Sequence, residues 1–292
     1  MKVRQWLLAF RPKTLTTAFV PVLVGTALVA AQAQVVHWSL TICAWAAAFF
    51  IQVATNLIND AIDFEKGADT HERLGPQRLT ASGAVPGRKV LRIGFLFLFL
   101  AFLMGIPIVL RGGLIFVGVG LVSLFLAYGY TAGPLPLAYF GLGDVFVVLF
   151  FGLVAVAGTY FLQTLNWSRD VVVAGLQIGC LATVLIAINN LRDVDQDVKA
   201  HKKTLAVRFG KLFVRYEIAT LLLFSYVLLP YWWMQGFRMA AILPLLFLPL
   251  AGRLAWNIFR NEPGIVYNKF LAQAAAVHLG FGIALAMGFW LR

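Results

Sequence analysis

Eight of the twelve acidic residues of this chain fall in two short stretches, and each stretch ends a long apolar segment. The first runs N-L-I-N-D-A-I-D from Asn56 to Asp63 and continues through Glu65 and Asp69 to Glu72. The second runs N-N-L-R-D-V-D-Q-D from Asn189 to Asp197. On a helix, Asn56, Asp60 and Asp63 share a face, as do Asn189, Asp193 and Asp197, because residues three and four apart are neighbours. Asp195 lies off the face of Asp193 and Asp197. Like charges on one helical face repel, so two such faces call for a compensating cation. Mg²⁺ takes oxygen ligands, typically one or two carboxylates completed by waters and substrate phosphates. The chemistry to expect is a divalent-metal site facing a phosphorylated ligand, with Asp60, Asp63, Asp193 and Asp197 as ligands. Asn56 and Asn189 orient them or add oxygens, and Asp69 is a further candidate ligand. The alternative is that these acids are solvated helix ends marking a boundary.

Basic residues follow each stretch: Arg73, Arg78, Arg88 and Lys89 after the first, Lys199, Lys202, Lys203 and Arg208 after the second. A metal ion plus Arg or Lys is a common means of neutralising a departing diphosphate. Lys202, Arg78 and Arg208 are the preferred functional cations. A third loop, from Ala127 to Asp144, carries Tyr128 and Tyr130, whose hydroxyls suit a ring hydroxyl or a phosphate but also suit an interfacial aromatic belt. Asp144 reads either as a site carboxylate or as a helix N-cap. Arg11 and Lys13 flank Pro12 at the start of the first apolar run, where they anchor its end or touch an acidic substrate.

The elements that must position these groups are membrane spans. Of 292 residues, 61% are apolar and only 12% charged, against about 25% charged in a soluble domain. An apolar helix of about 20 residues crosses the hydrocarbon core. Nine segments qualify: 15–34, 38–59, 91–110, 113–131, 142–162, 171–191, 212–232, 238–257 and 272–291. The predicted architecture is all-α and polytopic, one domain over 1–292. Pro107, Pro230 and Pro244 predict kinks or ends. Trp232, Trp233, Gln235 and Arg238 read as an interfacial break. With nine crossings, twenty of the 24 Lys and Arg fall on the side of the N-terminus. The positive-inside rule makes that side cytoplasmic, and both acidic stretches share it. The net charge of +12 is then explained by loops facing an anionic leaflet, without nucleic acid. Cys43 and Cys180 lie in apolar segments and read as packed side chains.

These residues carry a resemblance. The chain resembles the intramembrane aromatic prenyltransferases of the ubiquinone-biosynthesis type, and among them the menaquinone-pathway branch acting on 1,4-dihydroxy-2-naphthoate. The likeness rests on R-P-K-T-L from Arg11, the Asn56–Asp63 motif with K-G-A-D from Lys66 to Asp69, G-P-Q-R from Gly75 to Arg78, Y-F-G-L-G-D from Tyr139 to Asp144, and the Asn189–Asp197 motif with K-T-L-A-V-R from Lys203 to Arg208. The general pattern N-D-x-x-D-x-x-x-D is broken at its last Asp, where this chain has Gly67; the next carboxylate is Asp69, which is similar to the naphthoate branch. The resemblance implies nine helices around a central cavity and a lateral opening for an isoprenoid tail. It also implies two Mg²⁺ bridging a polyprenyl diphosphate to the Asp motifs, and transfer of the prenyl group to the naphthoate with loss of CO₂. Two rivals remain: a sibling enzyme with another acceptor or a phytyl donor, and a secondary transporter. A transporter favours ionisable groups near mid-bilayer, whereas the acids here cluster at one edge.

Overall fold

The structure is a computed structural model that describes residues 3–67, 74–75, 78–129 and 141–291. The helices are α1 (Val3–Ala9), α2 (Pro12–Ala31), α3 (Trp38–Glu65), α4 (Gly87–Gly112), α5 (Leu114–Gly129), α6 (Gly143–Thr164), α7 (Arg169–Arg192), α8 (Val194–Lys199), α9 (Leu205–Met234), α10 (Arg238–Arg260) and α11 (Tyr267–Leu291). Eight of these are long and apolar enough to cross a membrane; α5 is apolar but shorter. They match the nine segments expected from hydropathy, with boundaries moved by several residues. The largest shifts are at α3, which runs on to Glu65, and at α9, which starts at Leu205. Charged and amide residues at these ends hid the extra turns from a hydropathy reading, because satisfied polar groups continue a helix as well as apolar ones do.

The bundle is built around α2, α7 and α11. The apolar window of α7 is 78% buried, that of α4 only 11%. So α7 is the axial helix and α4 is a lipid-facing wall, with Leu96, Phe99, Phe102, Ile106 and Leu110 turned outward. Val24 and Leu28 of α2, Ile178, Leu181, Leu185 and Ile188 of α7, and Phe281, Leu285 and Phe289 of α11 form the shared core. In lipid, close packing and satisfied polar groups hold helices together, since the tails are as apolar as leucine. Both devices are visible. Gly152 of α6 lies so close to Gly175 and Gly179 of α7 that a Cβ on it would stand 2.4 Å from the Gly175 carbonyl oxygen. Between α7 and α9, Gln177 donates to the Ser225 carbonyl at 2.8 Å and accepts from Trp232 Nε1 at 2.7 Å.

Some of the expected breakers interrupt helices, but Pro107 lies inside α4, which runs unbroken from Gly87 to Gly112. Gly113, at φ 72°, ends α4 after Arg111. Pro244 coincides with a 3₁₀ segment, Leu243–Phe247, inside α10. Two irregularities have no proline: a π-helical stretch, Val148–Val154, in α6, and a non-helical Gly210 (φ 85°) in α9. Chain direction alternates from α2 to α11, so the C-terminal ends of α3 and α7 emerge on one side. In a cysteine-free background, Glu65→Cys and Lys199→Cys are expected to react with an impermeant maleimide from one membrane face, and Asn166→Cys and Gln235→Cys only from the other. Labelling of residues 65 and 199 from opposite faces would contradict the bundle.

Candidate active site

A cavity of about 250 Å³ opens between the ends of α2, α3, α6, α7 and α8. From α3 it receives Asn56, Asn59 and Asp63; from α7 and α8, Asn189, Asn190, Arg192, Asp193, Gln196 and Asp197. The two acidic stretches therefore meet. The link between them is direct: Asp63 accepts from Arg78 Nη2 at 2.8 Å, and Lys202 Nζ lies 3.5 Å from its other oxygen. Lys202 follows the second motif, so a cation of one half-site reaches the carboxylate of the other. A tight reversal puts it there. His201 adopts φ 55°, and the Lys202 amide donates to the Asp197 carbonyl at 2.9 Å.

Asp193 is held in a fork by its own neighbour: Arg192 Nε and Nη2 donate to its two oxygens at 2.7 and 2.6 Å. Asp197 is buried. Burial pushes its carboxyl up to about 7; the nearby Lys202 and Arg192 oppose that rise, and Asp193 and Asp63 add to it. A carboxylate that is costly to ionise when the site is alone becomes favourable beside a cation. Among the described residues, no three His, Cys, Asp or Glu side chains gather closely enough to form a metal cage by themselves. That fits Mg²⁺, which takes one or two carboxylates and completes its shell with water and substrate phosphate.

Asp60 goes elsewhere. It is absent from the cavity wall; its oxygens accept from the backbone amides of Leu79 and Thr80 at 3.0 and 3.1 Å, and from the Thr80 hydroxyl. Its expected place is taken by Asn59. At 3.6 residues per turn, Asn56 and Asp63 nearly eclipse each other, with Asn59 on one flank and Asp60 on the other. The cavity lies on the Asn59 side. Asp60 instead clamps the loop whose Arg78 pairs with Asp63.

The remaining candidates divide. Arg11 lines the cavity from a left-handed turn (φ 52°) between α1 and α2. Asn56 lines it too, while its amide donates to the Phe10 carbonyl at 3.1 Å. Asp144 is buried in the first turn of α6 and lines the cavity, and among the described residues its Oδ1 has no hydrogen-bond partner. The helix N-cap is Leu142, so Asp144 is not the cap. Lys13 does not reach the cavity; its Nζ donates to the Asn268 carbonyl at 3.1 Å. Arg208 is exposed beside Gly141, on the outer side of the wall. Tyr128 stands at the surface against Phe95, as a belt residue would. Tyr130 and Asp69 lie outside the described residues. Missed from the sequence were Asn59, Asn190, Arg192, Gln196, Gln52, Thr14 and Thr17. The spacing of Asn56, Asn59 and Asp63 was available as a signal for the first; Arg192 offered none beyond adjacency to Asp193.

The chain matches the UbiA prenyltransferase family over residues 18–289. It belongs to that family. The 1,4-dihydroxy-2-naphthoate octaprenyltransferase of Haemophilus influenzae is 33% identical over 295 residues, covering 98% of this chain and 96% of its own. The Escherichia coli protein of the same name is 32% identical, covering 99% and 96%. Among solved structures, a UbiA homolog from Archaeoglobus fulgidus bound to DMAPP and Mg²⁺ superposes with a TM-score of 0.62 at 15% identity, over 97% of this chain and 99% of that one. At that identity the likeness establishes the fold. The protein is an integral membrane prenyltransferase of the UbiA fold.

The geometry separates the two acids of the first motif. Asp63→Asn removes the carboxylate that faces the cavity, with its ion pairs to Arg78 and Lys202, and is expected to abolish prenyl transfer. Asp60→Asn places an amide where two backbone donors need an acceptor, so it should destabilise by about 1–3 kcal/mol and lower the detergent melting temperature. An Asp60→Asn variant that melts with the wild type would contradict the clamp.

Proposed function

We propose that the chain transfers a polyprenyl group from a polyprenyl diphosphate to 1,4-dihydroxy-2-naphthoate, releasing diphosphate and CO₂ and forming demethylmenaquinol. One observation supports the site half of this reading above all others: carboxylates of both motifs converge on one membrane-edge cavity ringed by Arg78, Arg192 and Lys202. The naphthoate acceptor rests on the names of the near-full-length relatives.

Asp63, Asp193 and Asp197, with the side-chain oxygens of Asn59 and Asn189, line the cavity and would hold Mg²⁺ and through it the diphosphate. Two ions suit their division into two half-sites. When bound, Mg²⁺ supplies Lewis-acid neutralisation of the leaving group. Arg78 and Lys202, already at the cavity edge, add charge-assisted contacts to diphosphate oxygens. The allylic C–O pair leaves with the diphosphate, the ring carbon that bears the carboxylate closes on the prenyl carbon, and loss of that carboxylate as CO₂ returns its bonding pair to the ring and restores aromaticity. Asp144, with an oxygen that lacks a partner among the described residues, accepts a hydrogen bond from an acceptor hydroxyl and enriches the ring. Val147, Phe151, Leu185 and Ile186 supply the apolar walls that keep water from the allylic cation. The concentration of Lys and Arg at the motif end of the bundle supports a cytoplasmic position for the site and the N-terminus. A single transmembrane domain is the simplest organisation consistent with the shared core.

Purified protein given 1,4-dihydroxy-2-naphthoate, octaprenyl diphosphate and Mg²⁺ is expected to yield prenylated naphthoquinol and CO₂ by mass spectrometry, and none with EDTA. Turnover of 4-hydroxybenzoate in preference to the naphthoate would refute the acceptor assignment. Lys202→Ala should raise the KM for the prenyl diphosphate about tenfold, as expected for loss of a charge-assisted contact, with the naphthoate KM unchanged. An unaltered donor KM would remove Lys202 from diphosphate handling.

A further inference from the structure

Asn268 stands just inside the N-terminus of α11, in none of the motifs and outside the cavity wall. It is half-buried, and three chain segments meet on it. Its Oδ1 accepts from Arg192 Nη1 at 2.8 Å. Its Nδ2 donates to the Leu74 carbonyl at 2.7 Å. Its backbone carbonyl accepts from Lys13 Nζ at 3.1 Å.

Each side-chain bond leads to one half-site. Arg192 has its Nε and Nη2 on the Asp193 carboxylate; the Asn268 oxygen fixes the opposite corner of the same guanidinium. Held on two sides, that planar group cannot turn about its last torsions, and Asp193 stays aimed into the cavity. Leu74 lies four residues before Arg78, the partner of Asp63. Tethering the Leu74 carbonyl fixes where this short piece of chain begins its approach to Asp63, while Asp60 fixes where it leaves, through Leu79 and Thr80. The amide carries a donor and an acceptor on one rigid plane. Asp would keep the acceptor and lose the donor; Leu would lose both at similar volume. The Lys13 contact is to backbone and survives either change.

We infer that Asn268 is a positioning residue for the diphosphate site, one amide that sets Arg192 against Asp193 and seats the Arg78 loop over Asp63. The inference rests on the proposed reading of the cavity as a Mg²⁺–diphosphate site. The test is calorimetric titration of the full-length protein in detergent with inorganic pyrophosphate in the presence of Mg²⁺, for wild type, Asn268→Leu and Asn268→Asp, alongside melting temperatures and steady-state kinetics. Loss of a hydrogen bond to a charged group predicts about tenfold weaker pyrophosphate binding in Asn268→Leu. Asn268→Asp, which keeps its hold on Arg192, is expected to lose only about threefold. The prenyl diphosphate KM should rise in step while the naphthoate KM stays put, a split that general loosening would not produce. Wild-type binding with unchanged Asn268→Leu binding overturns the inference alone. So does an Asn268→Asp variant as weak as Asn268→Leu, or parallel rises in both KM values. A wild-type protein that takes up no Mg²⁺–pyrophosphate removes the diphosphate site itself, and the inference with it.

Discussion

Charge compensation at Asp63 is the constraint on which the site depends. A carboxylate buried at the end of an apolar bundle is costly unless paired. Here it is met by two cations from distant parts of the chain, Arg78 and Lys202. Neither can arrive without its own local device: the Asp60 clamp on residues 79–80 for Arg78, and the left-handed turn at His201 for Lys202. Drawing these loops together closes the end of the bundle, brings Asp193 and Asp197 opposite Asp63, and leaves donors and acceptors around a small polar cavity. The polar end is thus assembled by ion pairing, whereas the rest of the molecule is assembled by packing.

That packing sets the distance between the two half-sites. Asp63 rides on α3, held chiefly by α4 and α2, while Asp193 rides on α7, which is surrounded by α2, α6, α9 and α11. Helix α2 touches both and is the spacer between them. The glycine contacts between α6 and α7 do similar service for Asp144, bringing the start of α6 close enough to the axial helix for its carboxylate to share the cavity. A catalytic geometry that needs several helix ends in register is better founded on backbone contact than on long side chains, which have rotamers to spare.

Much of this was legible in the sequence. Hydropathy length located the spans, and the Lys and Arg asymmetry put both motifs at the same end of the bundle. Periodicity located Asp63, Asp193 and Asp197, which line the cavity from the end of α3, the junction of α7 with α8, and α8. It failed at Asp60 because spacing defines a stripe but not which edge of the stripe faces inward; that choice is made by α4 and the 79–80 loop. It failed for Lys13 and Arg208 because a cation near an anionic site competes among several acceptors, and the nearest one is decided by tertiary distance. Arg192 and Asn268 were invisible for the opposite reason: neither belongs to a periodic stripe, and Asn268 makes its contacts with residues far away in the chain.

The wide turn in α6 has a consequence for how one helix serves two neighbourhoods. Val148–Val154 is π-helical, which inserts about one residue beyond the α-helical repeat and so turns everything after it by about 100° relative to a regular continuation. Ahead of it, Asp144 and Val147 look into the cavity; behind it, Tyr160 and Gln163 look toward partners at the far end, where they meet Gln32 and the start of α3. The bulge is a fixed angular offset within one rod, setting the azimuth of the anchoring end against that of the chemical end.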